Sequence, residues 1–477
     1  MADLKIDLRG LQDLGGPCLR QSPPRNSGGE GDDDYLWTAA FLDERFAQPV
    51  SPLGWSLVAE PFERIALREP LELLGAAIED GPLVKLWYGR PYSRVEIWQR
   101  IYKLFPEWLL PDDAARFFPG GDVSLRAQPL CPTFGLHLIW NGITMLGRDP
   151  GAASPLHNPR AWSRFERALQ AALPQWEARL RALVGATDSV RGRLALLRES
   201  VQFTDRLLVF HRWSLLYADL LYTALRQAAL LRLGSAEGER VLVGLAAGFD
   251  SVTGRVNAEM ARLADHIRDD GRLCESLAQA AVIDELPPGE FKRQLARFLE
   301  RYGHRFFSLD IYDPPWAGDL PAFAKLLLAV ARRDPAPTAP QSGVGNAPAA
   351  VRLLASATRP YVRLREAQRF RWQQIMAFQR RVLLQLGDLW VASRDLQRST
   401  DVFGLTWPEI ASLQLDAQAA AARVALLESR RAAPRNYPAF LKGAAPMPEP
   451  IFSGGGQELV GRSVSAGIAR GPARVVT

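Results

Sequence analysis

From Pro61 onward apolar side chains recur every three or four positions, the period of a helix with one buried face. Phe62, Ile65 and Ala66 open this pattern, Leu71 to Ile78 continue it, and Val95, Trp98, Ile101, Tyr102 and Phe105 repeat it. Two long helices are predicted next, about Pro159 to Val184 and Ser189 to Leu233, the second about 60 Å long at 1.5 Å per residue. Shorter helical pieces follow at Ala236 to Leu245, Val252 to Arg268, Gly271 to Ile283 and Pro288 to Tyr302. A third long helix is expected over Ala350 to Gly387, with Gly387 just past its end. The last runs from about Trp407 to Arg431, opened by a Thr406/Glu409 capping box.

The pattern breaks in five places. Residues 1–34 are rich in Gly, Pro, Ser and then Asp, a composition that predicts disorder. Order begins near Tyr35 with Trp37, Phe41, Phe46 and Trp55 as aromatic anchors, and Ser51 is expected to cap a helix with Pro52 in its first turn. Gly81 to Tyr92 reads as an extended connector. Residues 332–349 read as a mobile Pro/Gly/Ala loop inside a helical unit spanning 35–432, and 433–458 as a linker. From Leu459 to Thr477 the helical period gives way to β-prone residues spaced by Gly461, Gly467 and Gly471, too little chain for a stable sheet by itself. The expected fold class is therefore mostly α, a multi-helix unit with long helices followed by a short β-rich segment.

Composition narrows the function classes. With 47% hydrophobic and 23% charged residues, most of the chain should fold. The net charge is +6, yet only six of the 58 basic residues are Lys, and the arginines are scattered along helices rather than gathered in blocks. That distribution argues against a nucleic-acid partner and is compatible with phosphate or carboxylate ligands, which guanidinium binds as a rigid fork. Cys18, Cys131 and Cys274 are far apart and without CxxC spacing, as expected for a reduced cytoplasmic protein with no structural zinc. The most apolar stretch, Leu130 to Leu146, contains Pro132, His137 and Asn141 and reads as a buried element rather than a membrane span.

No P-loop, GxGxxG between strand and helix, HExxH or GxSxG is present, so no cofactor or metal site is expected in the chain itself. Two stretches remain as candidates. In Phe298 to Trp316 a helix is expected to end at Gly303 and expose His304 and Arg305, with Asp310 and Asp313 following in an extended segment. A histidine beside a carboxylate can serve as acid, base or phosphate contact, and equally as a helix-end partner. In Arg363 to Trp372, Arg365 and Arg369 lie one turn apart with Glu366 three before Arg369. Two guanidiniums on one face can clamp a phosphoryl group while a carboxylate takes a hydroxyl proton; a surface helix laced with ion pairs has the same pattern. His211, alone beside Trp213 and Tyr217, reads as a packing residue.

These stretches, in this order, resemble the PEP-utilising enzymes, and within them the rifampicin phosphotransferase branch. LWTAAFLDERFAQPVSPL resembles the opening of its central helical domain, LERYGHRFFSLDIYDPPW its YGHR…D…PxW motif, VRLREAQRFRW its RExx(K/R)F helix, and DVFGLTWPEI its D(I/V)FxLTxxE signature. The tail LVGRSVSAGIARGPARVV resembles the start of the mobile phosphohistidine domain. Phe306, Ser308, Pro315 and Gly404 depart from the usual residues.

In that family an ATP-grasp domain moves phosphate from ATP to a histidine, which swings to the central domain and delivers it. The resemblance implies Arg365 and Arg369 as holders of the phosphoryl group, Glu366 as base, and His304, Asp310 and Trp316 as substrate-binding candidates. It implies ATP and Mg for the complete enzyme, ATP-grasp and phosphohistidine domains on other chains as partners, and an apolar hydroxyl-bearing small molecule as acceptor. The expected role is the acceptor-substrate-binding portion of an ATP-dependent phosphotransferase, with 459–477 the incomplete start of the swivelling domain. The alternative is a non-catalytic protein of the same descent that binds a small molecule or docks a partner.

Overall fold

The computed structural model describes most of residues 35–443 and the short stretch 448–450. Outside the description lie 104–109, 122–152 apart from Leu136, Trp140 and Ile143, 186–188, 248–251, 333–346 and a few single positions. The expected disordered start, most of the loop at 332–349 and the β-prone tail at 459–477 therefore fall outside the described residues.

The fold is mostly helical, as the periodicity predicts. A short strand β1 (Leu36–Thr38) precedes helix α1 (Pro52–Pro61), which continues through a π-helical turn at Phe62–Arg68 into α2 (Glu69–Leu73). Ser51 caps α1 as expected: its Oγ accepts from Gly54 N at 3.0 Å, and Pro52 occupies the first turn. The strand-like or extended run expected over Gly81 to Tyr92 forms most of a hairpin, β2 (Val84–Trp87) and β3 (Arg90–Arg94), turned by Tyr88 and Gly89, both with positive φ. These strands belong to one antiparallel sheet, ordered β2-β3-β1 and then β5 (Phe440–Lys442), while β4 (Arg435–Asn436) pairs apart from it with Glu449–Pro450. Part of the expected linker thus returns to pair with the first strand, Trp37 opposite Leu441. Helix α3 (Val95–Lys103) covers this sheet with Ile97, Trp98 and Tyr102.

The helices follow their predicted limits closely at α4 (Asn158–Ala182), α5 (Ser189–Leu233), α6 (Ser235–Ala247) and α7 (Val252–Ile267); α8 (Gly271–Gln279) stops short of its expected end at Ile283, where Ala280 turns extended, and α9 (Glu290–Tyr302) follows as expected. Helix α10 (Leu320–Ala331) was not anticipated, although Asp319 caps it by accepting from Ala322 N at 3.0 Å and Pro321 sits in its first turn. Helix α11 (Ala349–Ala392) packs along α5 and, with α1 and α4, encloses the main core around Trp176, Phe203, Phe210 and Phe378. A second core joins α7, α8, α9 and α10 around Leu295, Phe298, Trp316 and Phe323.

Three expectations are corrected. Gly387 does not end α11; it lies inside it, where a Cβ would come 2.3 Å from the carbonyl oxygen of Ser399, so glycine is needed for close approach rather than for a cap. The last helix is two: α12 (Trp407–Ser412), with the predicted Thr406/Glu409 capping box, and α13 (Ala417–Ala432), capped afresh by Asp416. Leu413 takes left-handed φ between them, closing α12 with a backbone turn onto Glu409. Of the apolar stretch 130–146, the described Leu136, Trp140 and Ile143 are exposed rather than buried.

Candidate active site

The arginine-bearing turn of α11 lies between α5 and α7. Successive residues on a helix are about 100° apart, so Arg365 and Glu366 face different neighbours while Arg369 stands between them. Arg365 Nη1 donates to Asp219 Oδ1 of α5 at 3.0 Å, and Glu366 Oε2 accepts from Thr253 Oγ1 at the start of α7. Arg369 is exposed and makes no ion pair among the described residues. The pattern is therefore not a ladder of ion pairs within one helix; its members reach across to separate helices.

Two further guanidiniums converge on this turn from distant parts of the chain. Arg45 lies between β1 and α1, its Nη1 donating to Phe41 O at 2.8 Å and its guanidinium 4.0 Å from the centre of the Phe41 ring. Its backbone carbonyl accepts from Leu309 N at 3.1 Å, which ties this loop to the segment after α9. Burial, then the charges of Arg365 and Arg369, push the Arg45 pKa down to about 10, partly offset by Glu44 and Asp219. Arg305 is lowered by burial and by Arg369, with Glu366 opposing. Arg369 thus links two charge groups into one arginine basin, Arg45 and Arg365 with Asp219 on one side and Arg305 with Glu366 on the other; Glu44, at its edge, pairs with Arg116. Like charges held together in this way favour an anion, because each added negative charge relieves repulsion as well as gaining attraction.

His211 of α5 borders the same basin. Its Nδ1 meets Gln368 Oε1 of α11 at 3.2 Å, and its ring meets Trp372 edge to face. Burial and the charges of Arg45, Arg365 and Arg369 push its pKa down to about 4, so the imidazole is neutral at pH 7. His211 is thus a neutral packed ring, as its sequence context suggests, but its nearness to the arginines carries no local signal, and neither does that of Arg45. In both cases the partners are remote in sequence, and only the Arg/Glu turn of α11 was legible locally.

The other candidates sit differently from their expected positions. His304 is not exposed: it lies edge-on to Phe370 at 4.5 Å with Nε2 buried, and burial followed by Arg305 and Arg371 lowers its pKa to about 3. It is a neutral ring in an apolar seat, unsuited to holding a phosphate by charge. Trp316 is buried between Phe298 and Phe323, and the Arg305 guanidinium lies 5.1 Å over its ring, so it supports Arg305 from beneath. Asp310 is not on an open segment. It is 1% exposed, and its carboxylate accepts from Ser51 N at 2.7 Å, Ser51 Oγ at 2.6 Å, Tyr312 N at 3.1 Å and Arg431 at 2.8 Å. Those four donors occupy the directions a ligand would need.

Residues 216–383 match the model of the rifampicin phosphotransferase fourth domain. That segment is rifampicin phosphotransferase-like. The matched segment covers about a third of the chain and includes Asp219, Thr253, Arg305, Arg365, Glu366 and Arg369, whereas Arg45 and His211 lie before it. No curated protein matches the chain. Among the described residues, no helix is long and apolar enough to cross a membrane, and no group of three or more His, Cys, Asp or Glu is placed to hold a metal ion.

Proposed function

We propose that the chain carries the acceptor side of an ATP-dependent phosphotransfer, with Arg365, Arg369 and Arg45 holding the transferring phosphoryl group and Glu366 taking the proton of the acceptor hydroxyl. The observation that carries this reading is the convergence of Arg45, Arg365 and Arg369, whose charges depress one another's neighbours without enough carboxylate to neutralise them. In the step itself the bond between phosphorus and a carrier histidine nitrogen breaks and a bond between phosphorus and the acceptor oxygen forms. The hydroxyl proton passes to Glu366 Oε1 or Oε2, the latter oriented by Thr253. Guanidinium donors suit the developing charge on the equatorial phosphoryl oxygens.

ATP and Mg would be bound by an ATP-grasp domain and the carrier histidine by a phosphohistidine domain, and the acceptor would be an apolar small molecule with a free hydroxyl. The name of the matched family makes rifampicin the first acceptor to try. Incubating the chain with ATP, Mg, rifampicin and the ATP-grasp and phosphohistidine domains of a rifampicin phosphotransferase should yield phosphorylated drug, detected by mass spectrometry. A panel of hydroxylated macrocycles yielding no product under those conditions counts against phosphotransfer. One contact favours the second reading, a binding protein without catalysis: Asp219 occupies the Arg365 guanidinium that an anion has to recruit. Ligand binding that survives Arg365→Ala and Glu366→Ala, with no turnover, selects that reading.

A further inference from the structure

A buried relay sets the protonation of His211. It starts at Asn158, whose Nδ2 donates to the backbone carbonyl of Phe210 at 3.3 Å. A carbonyl only accepts, so this contact orients the Asn158 amide and leaves its Oδ1 facing Ser214 Oγ at 2.9 Å. The single hydroxyl proton of Ser214 goes to Asn158 Oδ1 or to Phe210 O at 3.1 Å; toward Gln368, Ser214 can only accept. Gln368 Nε2 therefore donates to Ser214 Oγ at 2.9 Å, which turns Gln368 Oε1 toward His211 Nδ1 at 3.2 Å. An amide oxygen also only accepts, so His211 carries its proton on Nδ1 and keeps a lone pair on Nε2. Asn158, Ser214 and Gln368 are all 0% exposed, so water cannot substitute for any link.

The arrangement matters because of where the ring stands. Gln368 is flanked on α11 by Arg365, Arg369 and Trp372, three before, one after and four after it, so the histidine it orients borders the arginine basin. Guanidiniums only donate. A P–OH or hydroxyl entering among them, beyond the one that Glu366 serves, needs an acceptor for its own hydrogen, and Asp219 is already engaged by Arg365. Among the described residues the one hydrogen bond of the His211 ring is that of Nδ1 with Gln368, which leaves Nε2 open to a donor.

We propose that His211 Nε2 is the uncharged acceptor that receives the hydrogen of a P–OH or second hydroxyl group of a ligand held against Arg365 and Arg369, distinct from the hydroxyl that gives its proton to Glu366, and so fixes the ligand's orientation among the guanidiniums. The inference rests on the arginine basin being an anion site, as the proposed function has it. The surrounding guanidiniums of Arg45, Arg365 and Arg369 keep the ring neutral, which preserves this acceptor at physiological pH.

The test uses the full chain labelled with nitrogen-15 in histidine, and inorganic phosphate near pH 6.5 as the probe, since its monoanion combines oxyanions with a P–OH donor. Long-range proton–nitrogen spectra should show His211 as the Nδ1–H tautomer, and saturating phosphate should move its Nε2 resonance toward the hydrogen-bonded position. Phosphate affinity by calorimetry should fall about tenfold in His211→Phe, one ordinary hydrogen bond's worth, and recover to within about threefold in His211→Gln, whose amide oxygen reaches the place of Nε2. An Nε2–H tautomer overturns the inference. So does phosphate that binds wild type and His211→Phe equally, or binds without moving Nε2, while leaving the arginine basin standing. Phosphate that fails to bind wild type defeats the basin as an anion site and this inference with it; the tautomer in the same spectra still judges the relay.

Discussion

Arg431 Nη2 donates to Asp310 Oδ2 at 2.8 Å, and its Nη1 reaches Asp313 Oδ1 at 2.5 Å, so the last turn of α13 grips the segment that follows α9. The same guanidinium donates through Nε to Pro49 O at 2.9 Å, and Asp310 in turn holds Ser51. One buried ion pair thus joins the loop carrying Arg45, the segment carrying Arg305 and the C-terminal helix. Removing the cation leaves a carboxylate that is 2% exposed without its counter-charge. Arg431→Met should therefore destabilise the protein by about 3–5 kcal/mol, read as a fall in the midpoint of urea unfolding, and should weaken anion binding at the basin as its walls loosen.

Gly387→Ala should be costly although alanine is the better helix former. The added methyl carbon would lie 2.3 Å from the Ser399 carbonyl oxygen, a backbone atom that cannot swing aside. A loss of about 1–3 kcal/mol or more is expected. A neutral or stabilised variant in thermal unfolding would show that the Ser399 turn can move away.

Arg369→Ala and Arg45→Ala separate function from stability. Arg369 is exposed, so its truncation should leave stability within about 0.5 kcal/mol while lowering reconstituted phosphotransfer by about 100- to 1,000-fold. Arg45 is held over Phe41 and by Phe41 O, so its truncation should cost stability as well as transfer. Equal transfer rates for wild type and Arg369→Ala would remove this residue from the phosphoryl site.

Glu366→Gln keeps the shape and the contact with Thr253 but removes the base. Transfer should fall by about 100- to 10,000-fold, and the loss should be nearly constant with pH, whereas Thr253→Val should give a smaller loss at unchanged acceptor affinity. A Glu366→Gln enzyme of wild-type rate assigns the proton to another group.

Two buried groups give opposite dependences of stability on pH. Asp205 Oδ1 is buried with no hydrogen-bond partner, and burial, followed by the charge of Arg64 in opposition, leaves its pKa raised from 3.8 to about 7. The folded state holds that proton where the unfolded state has released it, so the contribution is full below pH 3.8 and is lost as pH rises to about 7. His211, lowered from 6.5 to about 4, contributes stability above pH 6.5 that is lost as pH falls through 4. Asp205→Asn should stabilise the protein at pH 8 by on the order of 2 kcal/mol and flatten the neutral limb of the profile; His211→Gln should flatten the acid limb. Urea titrations at pH 4 to 8 check both signs.

Local chemistry made the helices legible. The limits of α4, α5, α7 and α9, the Ser51 cap and the Thr406/Glu409 box all rest on contacts within a few positions along the chain, where periodicity and capping act. The Asp319 and Asp416 caps carry equally local signals, and the unanticipated α10 and the break before α13 could have been found from them. The Arg365, Glu366, Arg369 turn was visible for the same reason, as a spacing on one helix. Tertiary structure decided everything that depends on meetings between distant segments. It put Gly387 against Ser399 rather than at a helix end, paired β5 with β1, and buried Asp310 under Arg431 where an open ligand contact had been expected. It also brought Arg45 and His211 to the α11 turn, because charge and hydrogen-bond partners act through a few ångströms of space while the residues that supply them lie up to hundreds of positions apart.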